Sequence, residues 1–221
     1  MPDSTWIDSG KTEAPKMIDK ALGWIKNNRE TFIGGSVITL AAAIFAVYFF
    51  AHYLDLRDTA WKNLFIAQQT GYGGNMARAH EMLANIENTY GNTTAAPYAT
   101  LTKGDMFFAQ GKFKEAEAQY AKLTAEAQNL APIALYNLGK CKAAEGDLAG
   151  AQAQYAELLS KYPEHFMAPE THYCLAGVQE LSGAKDLARA TYEKIVLFYP
   201  DTSWAAQAKA KLAPPAAPAK K

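Results

Sequence analysis

Hydrophobic residues are concentrated in one stretch near the N-terminus, which runs from Phe32 to Leu54 without an Asp, Glu, Lys or Arg. An α-helix of about 20 apolar residues is long enough to cross the roughly 30 Å hydrocarbon layer of a bilayer. Aromatic side chains, which favour the membrane interface, gather at the C-terminal end of the stretch: Tyr48, Phe49, Phe50 and Tyr53. The pattern therefore predicts a single transmembrane anchor over residues 32–54.

Two alternatives to an anchor are a buried core helix and a cleaved signal peptide. Core helices rarely extend this far without a charged residue. A signal peptide has a shorter apolar region, and its basic leader is shorter than the roughly 30 residues of mixed charge that precede Phe32. An uncleaved anchor accounts for the stretch better than either alternative.

The segment ahead of the anchor has a helical pattern of its own over residues 16–30. Its apolar side chains share one face of a helix, and the opposite face is charged: Met17, Ile18, Ala21, Leu22, Trp24 and Ile25 form the apolar face. This pattern predicts an amphipathic helix in the membrane interface, within an N-terminal tail over 1–31. A simple helical extension of the anchor is the alternative.

Basic residues around the anchor are unevenly distributed. Five precede it and two follow within a comparable distance: Lys11, Lys16, Lys20, Lys26 and Arg29 against Arg57 and Lys62. Lys and Arg are enriched on the cytoplasmic side of membrane proteins. The bias predicts that the N-terminus is cytoplasmic and that residues after about 55 lie on the other side of the membrane.

Beyond the anchor the chain repeats itself. Glycines recur at intervals of 37, 35 and 37 residues, and alanines recur at the same intervals: Gly74, Gly111, Gly146 and Gly183, then Ala79, Ala116, Ala151 and Ala188. Two columns of larger residues share this spacing: Leu83, Tyr120, Tyr155 and Tyr192, then Ile86, Leu123, Leu158 and Ile195. Four columns with one set of intervals indicate a stack of similar structural units.

Each unit reads as a helix–turn–helix pair. The Gly is placed to end the first helix with a left-handed residue, and the Ala lies where two helices cross closely. Pro163 and Pro200 stop the second helix of two units. The chain is therefore predicted to be all-α, with one N-terminal transmembrane helix followed by an α-solenoid over 56–212.

This pattern resembles the tetratricopeptide repeat. Residues 131–164 fit it nearly throughout, and residues 97–130 fit well. Residues 169–200 fit with Ala176 in place of the usual Gly, and residues 60–91 lack several signature residues. The resemblance implies about four repeats with a capping helix over 201–212. The Ala- and Pro-rich ending, 213–221, is predicted to be disordered. A short link between Leu54 and Trp61 is expected to hold the first repeat near the bilayer.

In the tetratricopeptide family, set positions on the first helices line a concave face, which we call the groove surface. Carried onto this sequence, the residues expected to bind protein on it are Trp61, Leu64, Tyr98, Leu101, Phe108, Ile133, Tyr136, Lys140 and Tyr173. Gln68, Asp105, Glu170 and Glu180 occupy further positions on the same face. Repeats that grip acidic chaperone tails carry several basic residues there, whereas Lys140 is the one basic residue here. The resemblance therefore favours extended or partly folded apolar segments as ligands.

Composition and charge exclude several functions. Lys and Arg total 22, as do Asp and Glu, which argues against an electrostatic nucleic-acid binder. The four histidines lack metal-ligand spacing, and no phosphate loop or nucleophile motif occurs, so neither an enzyme nor a cofactor site is expected. Cys141 and Cys174 fall on neighbouring first helices. The sequence is compatible with two small buried thiols and with a disulfide between them.

The order of elements, with ALGWIKNNRETFIGGSVITLAAAIFAVYFF at its start, is similar to the YfgM-like family of ancillary SecYEG translocon subunits. That resemblance implies a bacterial inner-membrane protein with periplasmic repeats, which assists a translocon-associated chaperone or secretory clients. The alternatives are a scaffold subunit of another envelope complex and a mitochondrial import receptor. The missing basic residues and the Tyr-Pro repeat endings argue against the receptor.

Overall fold

The computed structural model describes residues 13–213, and every regular element in that range is an α-helix. The helices are α1 Glu13–Asn27, α2 Arg29–Tyr72, α3 Met76–Thr89, α4 Ala96–Ala109, α5 Phe113–Glu126, α6 Ala131–Ala144, α7 Leu148–Lys161, α8 Ala168–Leu181, α9 Lys185–Phe198 and α10 Ser203–Leu212. The all-α prediction is confirmed. Lys11 and most of the predicted C-terminal tail lie outside the described residues.

The chain divides into two compact units, Met1–Asp55 and Leu56–Lys221. In the first unit, α1 has the amphipathic pattern expected from the sequence, with Met17, Ile18, Leu22 and Trp24 exposed. The apolar part of α2 is long enough and apolar enough to cross a membrane, and none of it is buried inside the protein.

The expected short link between Leu54 and Trp61 is helical, because α2 is a single helix from Arg29 to Tyr72. The residues from Asp55 to Thr70 include neither Pro nor Gly, so nothing in this part of the chain interrupts the helix. The apolar stretch and the first helix of the first repeat are therefore parts of one element.

The second unit consists of helix pairs whose turns share one backbone geometry. Gly74, Gly111, Gly146 and Gly183 all have positive φ, between 72° and 93°. In each turn the residue after the Gly donates its N–H to the carbonyl five residues back, as in Asn75 to Thr70 and Lys112 to Phe107. This arrangement is a Schellman motif, which needs a left-handed residue and so favours Gly over other residues.

The interior of each pair is formed where the two helices cross. The alanine column is fully buried, from 0% exposure at Ala79, Ala116 and Ala151 to 1% at Ala188. A large side chain from the second helix packs on a small residue of the first. A Cβ on Gly139 would clash with the Tyr155 ring, and one on Gly104 would lie 2.6 Å from the Tyr120 ring. Side chains larger than hydrogen are thus excluded at these two positions unless the tyrosines move.

The helix α10 covers the C-terminal end of the array. Its Ala205 and Ala208 are fully buried in a cluster with Ala188, Tyr192 and Ile195 of the preceding pair. The side-chain hydroxyl of Thr202 accepts the N–H of Ala205 and so caps the helix. At this end the last repeat is shielded from solvent by a single helix.

Candidate protein-binding groove

The nine residues predicted to bind protein lie on the first helices α2, α4, α6 and α8, but they differ in burial. Leu64 and Tyr136 belong to the interior, with 3% and 8% exposure, so their side chains do not present an open face to a ligand. Leu64 shares a buried stripe of α2 with Ala60 and Ala67. Tyr136 packs in a core cluster with Tyr155. The other seven side chains are partly or largely exposed: Trp61, Tyr98, Leu101, Phe108, Ile133, Lys140 and Tyr173.

At the N-terminal end of the groove surface, two aromatic rings from neighbouring first helices meet. The ring centroids of Trp61 and Tyr98 are 5.1 Å apart, in a tilted arrangement. The indole N–H of Trp61 donates to the hydroxyl of Thr94 at 3.2 Å. Trp61 is 38% exposed, so it is held in position and still presents part of its ring to solvent.

The centre of the groove surface is organised around Lys140. Its ammonium lies 4.8 Å from the centroid of Phe108 and 5.6 Å from that of Tyr136, within the range of cation–π attraction. The Phe108 ring also contacts Phe113, with centroids 5.3 Å apart. Side chains from α4, α5 and α6 therefore form an aromatic cluster with one cation over it.

At the C-terminal end, the capping helix contributes an aromatic ring that the sequence analysis did not assign to this surface. Trp204 lies with its ring centroid 5.2 Å from that of Tyr173, and Tyr173 is 5.6 Å from Tyr192. Aromatic residues in capping helices are a signal that could have found Trp204. The surface thus extends onto α10.

Three tyrosines with buried rings donate their hydroxyls to carboxylates at groove positions. Tyr120 bonds Asp105 at 2.7 Å, Tyr136 bonds Glu170 at 2.7 Å, and Tyr192 bonds Glu180 at 3.2 Å. Burial raises the pKa of each tyrosine, so the hydroxyls remain proton donors at neutral pH. The carboxylates are consequently fixed in place by groups that belong to the core.

The thiols have the environment of structural rather than reactive cysteines. Cys141 is buried, Cys174 is partly buried, and both are free thiols. Burial raises the pKa of Cys141 to about 12 and also raises that of Cys174. Thiols with raised pKa values stay protonated at neutral pH and are poor nucleophiles. Within residues 13–213 no three His, Cys, Asp or Glu side chains are grouped as metal ligands.

Comparison with known proteins agrees with this geometry. The profile of the tetratricopeptide repeat matches residues 133–165, which hold most of α6 and all of α7. The repeat array has the tetratricopeptide-repeat fold. No curated protein matches the sequence.

Three solved structures share the fold at low sequence identity. A tetratricopeptide repeat protein from Parabacteroides merdae is 20% identical with a TM-score of 0.56, over 72% of this chain and 58% of its own. PilW, described as a widely conserved type IV pilus biogenesis factor, is 19% identical with a TM-score of 0.57, over 70% of this chain and 67% of its own. MamA is 18% identical with a TM-score of 0.51, over 61% of this chain and 75% of its own. Such identities establish the fold and carry no information about partners.

Proposed function

We propose that the repeat domain, residues 56–212, is a protein-interaction module that holds extended or partly folded apolar segments against the groove surface. The observation that carries the proposal is the series of partly exposed rings from Trp61 and Tyr98 to Tyr173 and Trp204, each held by a neighbouring ring. Rings held in this way offer large apolar contacts at a low cost in conformational entropy. Binding requires no cofactor and no bond chemistry.

In this proposal the protein is anchored once in the bacterial inner membrane. Residues 1–31 form a cytoplasmic tail, 32–54 form the anchor, and the repeats are periplasmic. The apolar part of α2 and the excess of Lys and Arg ahead of it support this orientation. The helix that crosses the membrane continues as the first helix of the first repeat.

The partners proposed are secretory clients, or the chaperone that receives them, at the translocon. The resemblance of the N-terminal region to YfgM-like proteins supports this assignment. A scaffold role in another envelope complex is the alternative, and the identity of the captured proteins separates the two.

The orientation is tested by alkaline phosphatase, which folds only in the periplasm, fused after Leu212. We expect an active fusion in a bacterial host, while a reporter that needs the cytoplasm is inactive at the same site. A well-expressed but inactive phosphatase fusion would contradict the periplasmic assignment.

The binding surface is tested by photocrosslinking in bacterial membranes. A photoreactive amino acid replaces Phe108 or Tyr173 on the groove surface, and Phe166 or Leu197 as controls that are more exposed, at 78% and 71%. We expect translocon subunits, a periplasmic chaperone or secretory clients to be captured from the groove positions only. Capture mainly from Phe166 and Leu197 would place the binding surface elsewhere, and capture of an unrelated assembly would favour the scaffold role.

A further inference from the structure

The carboxylates of the groove surface differ in whether they have a basic partner. Glu180 forms an ion pair with Lys211, with nitrogen and oxygen 2.8 Å apart. Asp105 and Glu170 form no ion pair within residues 13–213, and the hydrogen bond that each accepts comes from a neutral tyrosine. Two carboxylates are thus fixed at the surface without an ion-pair partner among the described residues.

Asp105 is exposed to solvent, and its carboxylate is held by the hydroxyl of Tyr120. Nearby protein atoms displace water and raise the pKa of its carboxyl, which is the largest influence on it, although Tyr120 and Lys140 act in the opposite direction. A carboxylate that is already held in one orientation loses less conformational freedom when a cation binds than a freely moving surface carboxylate does.

Lys140 does not neutralise these groups by direct contact. Its ammonium lies over the rings of Phe108 and Tyr136, and it is in no ion pair within the described residues. Lys140 is the one basic residue at the groove positions, which also hold three acidic residues, Asp105, Glu170 and Glu180. The groove surface therefore carries more negative than positive charge. It attracts a ligand that carries positive charge, and its two unpaired carboxylates repel an acidic ligand.

We propose that the groove surface selects extended apolar segments that carry Lys or Arg, whose cations are received by Asp105 and Glu170. This inference rests on the proposed function, since it names the chemistry of the segment held there. The rings bind the apolar side chains, and the two carboxylates discriminate among apolar segments by their charge. The tyrosine hydroxyls hold the carboxylates ready, so little ordering is needed when the segment arrives.

The test uses the full chain in nanodiscs of neutral lipid and three short fluorescent peptides. The peptides share their apolar residues and differ at two positions, which are Lys, Gln or Glu. Fluorescence anisotropy measures binding at low and high salt, with empty nanodiscs as a blank. We expect the Lys peptide to bind about fivefold tighter than the Gln peptide, and the Glu peptide more weakly, with the differences reduced by salt.

Two variants locate the effect. Asp105→Asn combined with Glu170→Gln keeps an oxygen for each tyrosine hydroxyl and removes both charges, so we expect the preference for Lys to disappear while the Gln peptide binds unchanged. Glu193→Gln, an exposed residue paired with Arg189 on α9, is the control of matched chemistry and should keep the preference.

The outcomes separate this inference from the proposed function. Equal binding of all three peptides, or a preference that survives the double variant, overturns the charge selection and leaves the groove as a binding surface. Binding of none of the peptides contradicts both proposals.

Discussion

The first helices present two faces that follow different rules. On the interior face the small residues recur in register with the large side chains that cover them, as Gly104 does with Tyr120 and Gly139 with Tyr155. On the groove face the column at Tyr98 continues as Ile133 and then Glu170, which share neither size nor charge. The difference indicates that packing constrains the residues of the interior face at every repeat, whereas no such constraint acts on the residues of the groove face.

A Gly→Ala substitution should change the stability of the protein in opposite directions on the two faces. Gly139→Ala places a methyl group against the Tyr155 ring, and we expect the free energy of unfolding to fall by about 1–3 kcal/mol. Gly177 lies in the groove column of Asp105 and Lys140, where an added Cβ meets no atom within 4 Å. Gly177→Ala should therefore raise stability by about 0.5–1 kcal/mol through helix propensity.

Thermal and chemical unfolding of the full chain in detergent measure this pair of variants. If both variants changed the free energy of unfolding in the same direction, the distinction between the faces would be contradicted, because only the interior position has an obstructing side chain.

The alanine column should be sensitive to size as well. Ala151→Leu adds volume at a site with 0% exposure, and we expect it to cost about 1–3 kcal/mol of stability. Ala153 on the same helix is exposed, so Ala153→Leu serves as the control and should leave the unfolding midpoint nearly unchanged. Equal effects at the two positions would mean that the helix is placed in the wrong register.

Much of this interior was predictable from the sequence, because packing repeats with the chain. The intervals of 37, 35 and 37 residues anticipate the positive φ of the turn glycines and the burial of the alanines. The same interval counted back from Gly104 reaches Ala67, which is fully buried and completes the column of small residues. Ala67 was missed because the first unit lacks other signature residues.

The groove surface was less predictable, because periodicity does not show how far a neighbouring helix covers a side chain. Tyr136 has the spacing of a groove residue, yet its hydroxyl bonds Glu170 on the next first helix and its ring is buried. Trp204 lies outside the repeated columns and reaches the surface from the capping helix. The continuity of α2 was also missed, since the anchor and the repeats were read as separate segments.

A smaller effect concerns pH and the packed side of α8. His172 has its Nδ1 buried without a hydrogen-bond partner in the described residues, and burial lowers its pKa below the ordinary 6.5. As the pH falls below that value the unfolded chain takes up the proton first, so the folded state loses stability. Unfolding midpoints measured from about pH 7 to about pH 5 should therefore fall.

In His172→Gln the fall with decreasing pH should be shallower, though not abolished, because the pKa values of His80 and His165 are also lowered. An identical pH dependence in the variant and the parent chain would show that His172 is not buried in its neutral form.

The most direct test of the account measures stability and capture together on groove variants. Trp61→Ala combined with Phe108→Ala removes two rings of the groove surface, and Leu197→Ala with Phe198→Ala removes two exposed apolar side chains from α9 as the control. The ligand is a reduced protein whose cysteines carry neutral carbamidomethyl groups, so that it stays unfolded without added charge, and its binding to the full chain in neutral nanodiscs is measured. We expect the groove variant to bind at least about tenfold more weakly, as loss of aromatic anchors does in other interfaces, while it still unfolds cooperatively. Unchanged capture by the groove variant, or an equal loss in the control, would contradict the claim that the groove surface is the binding site.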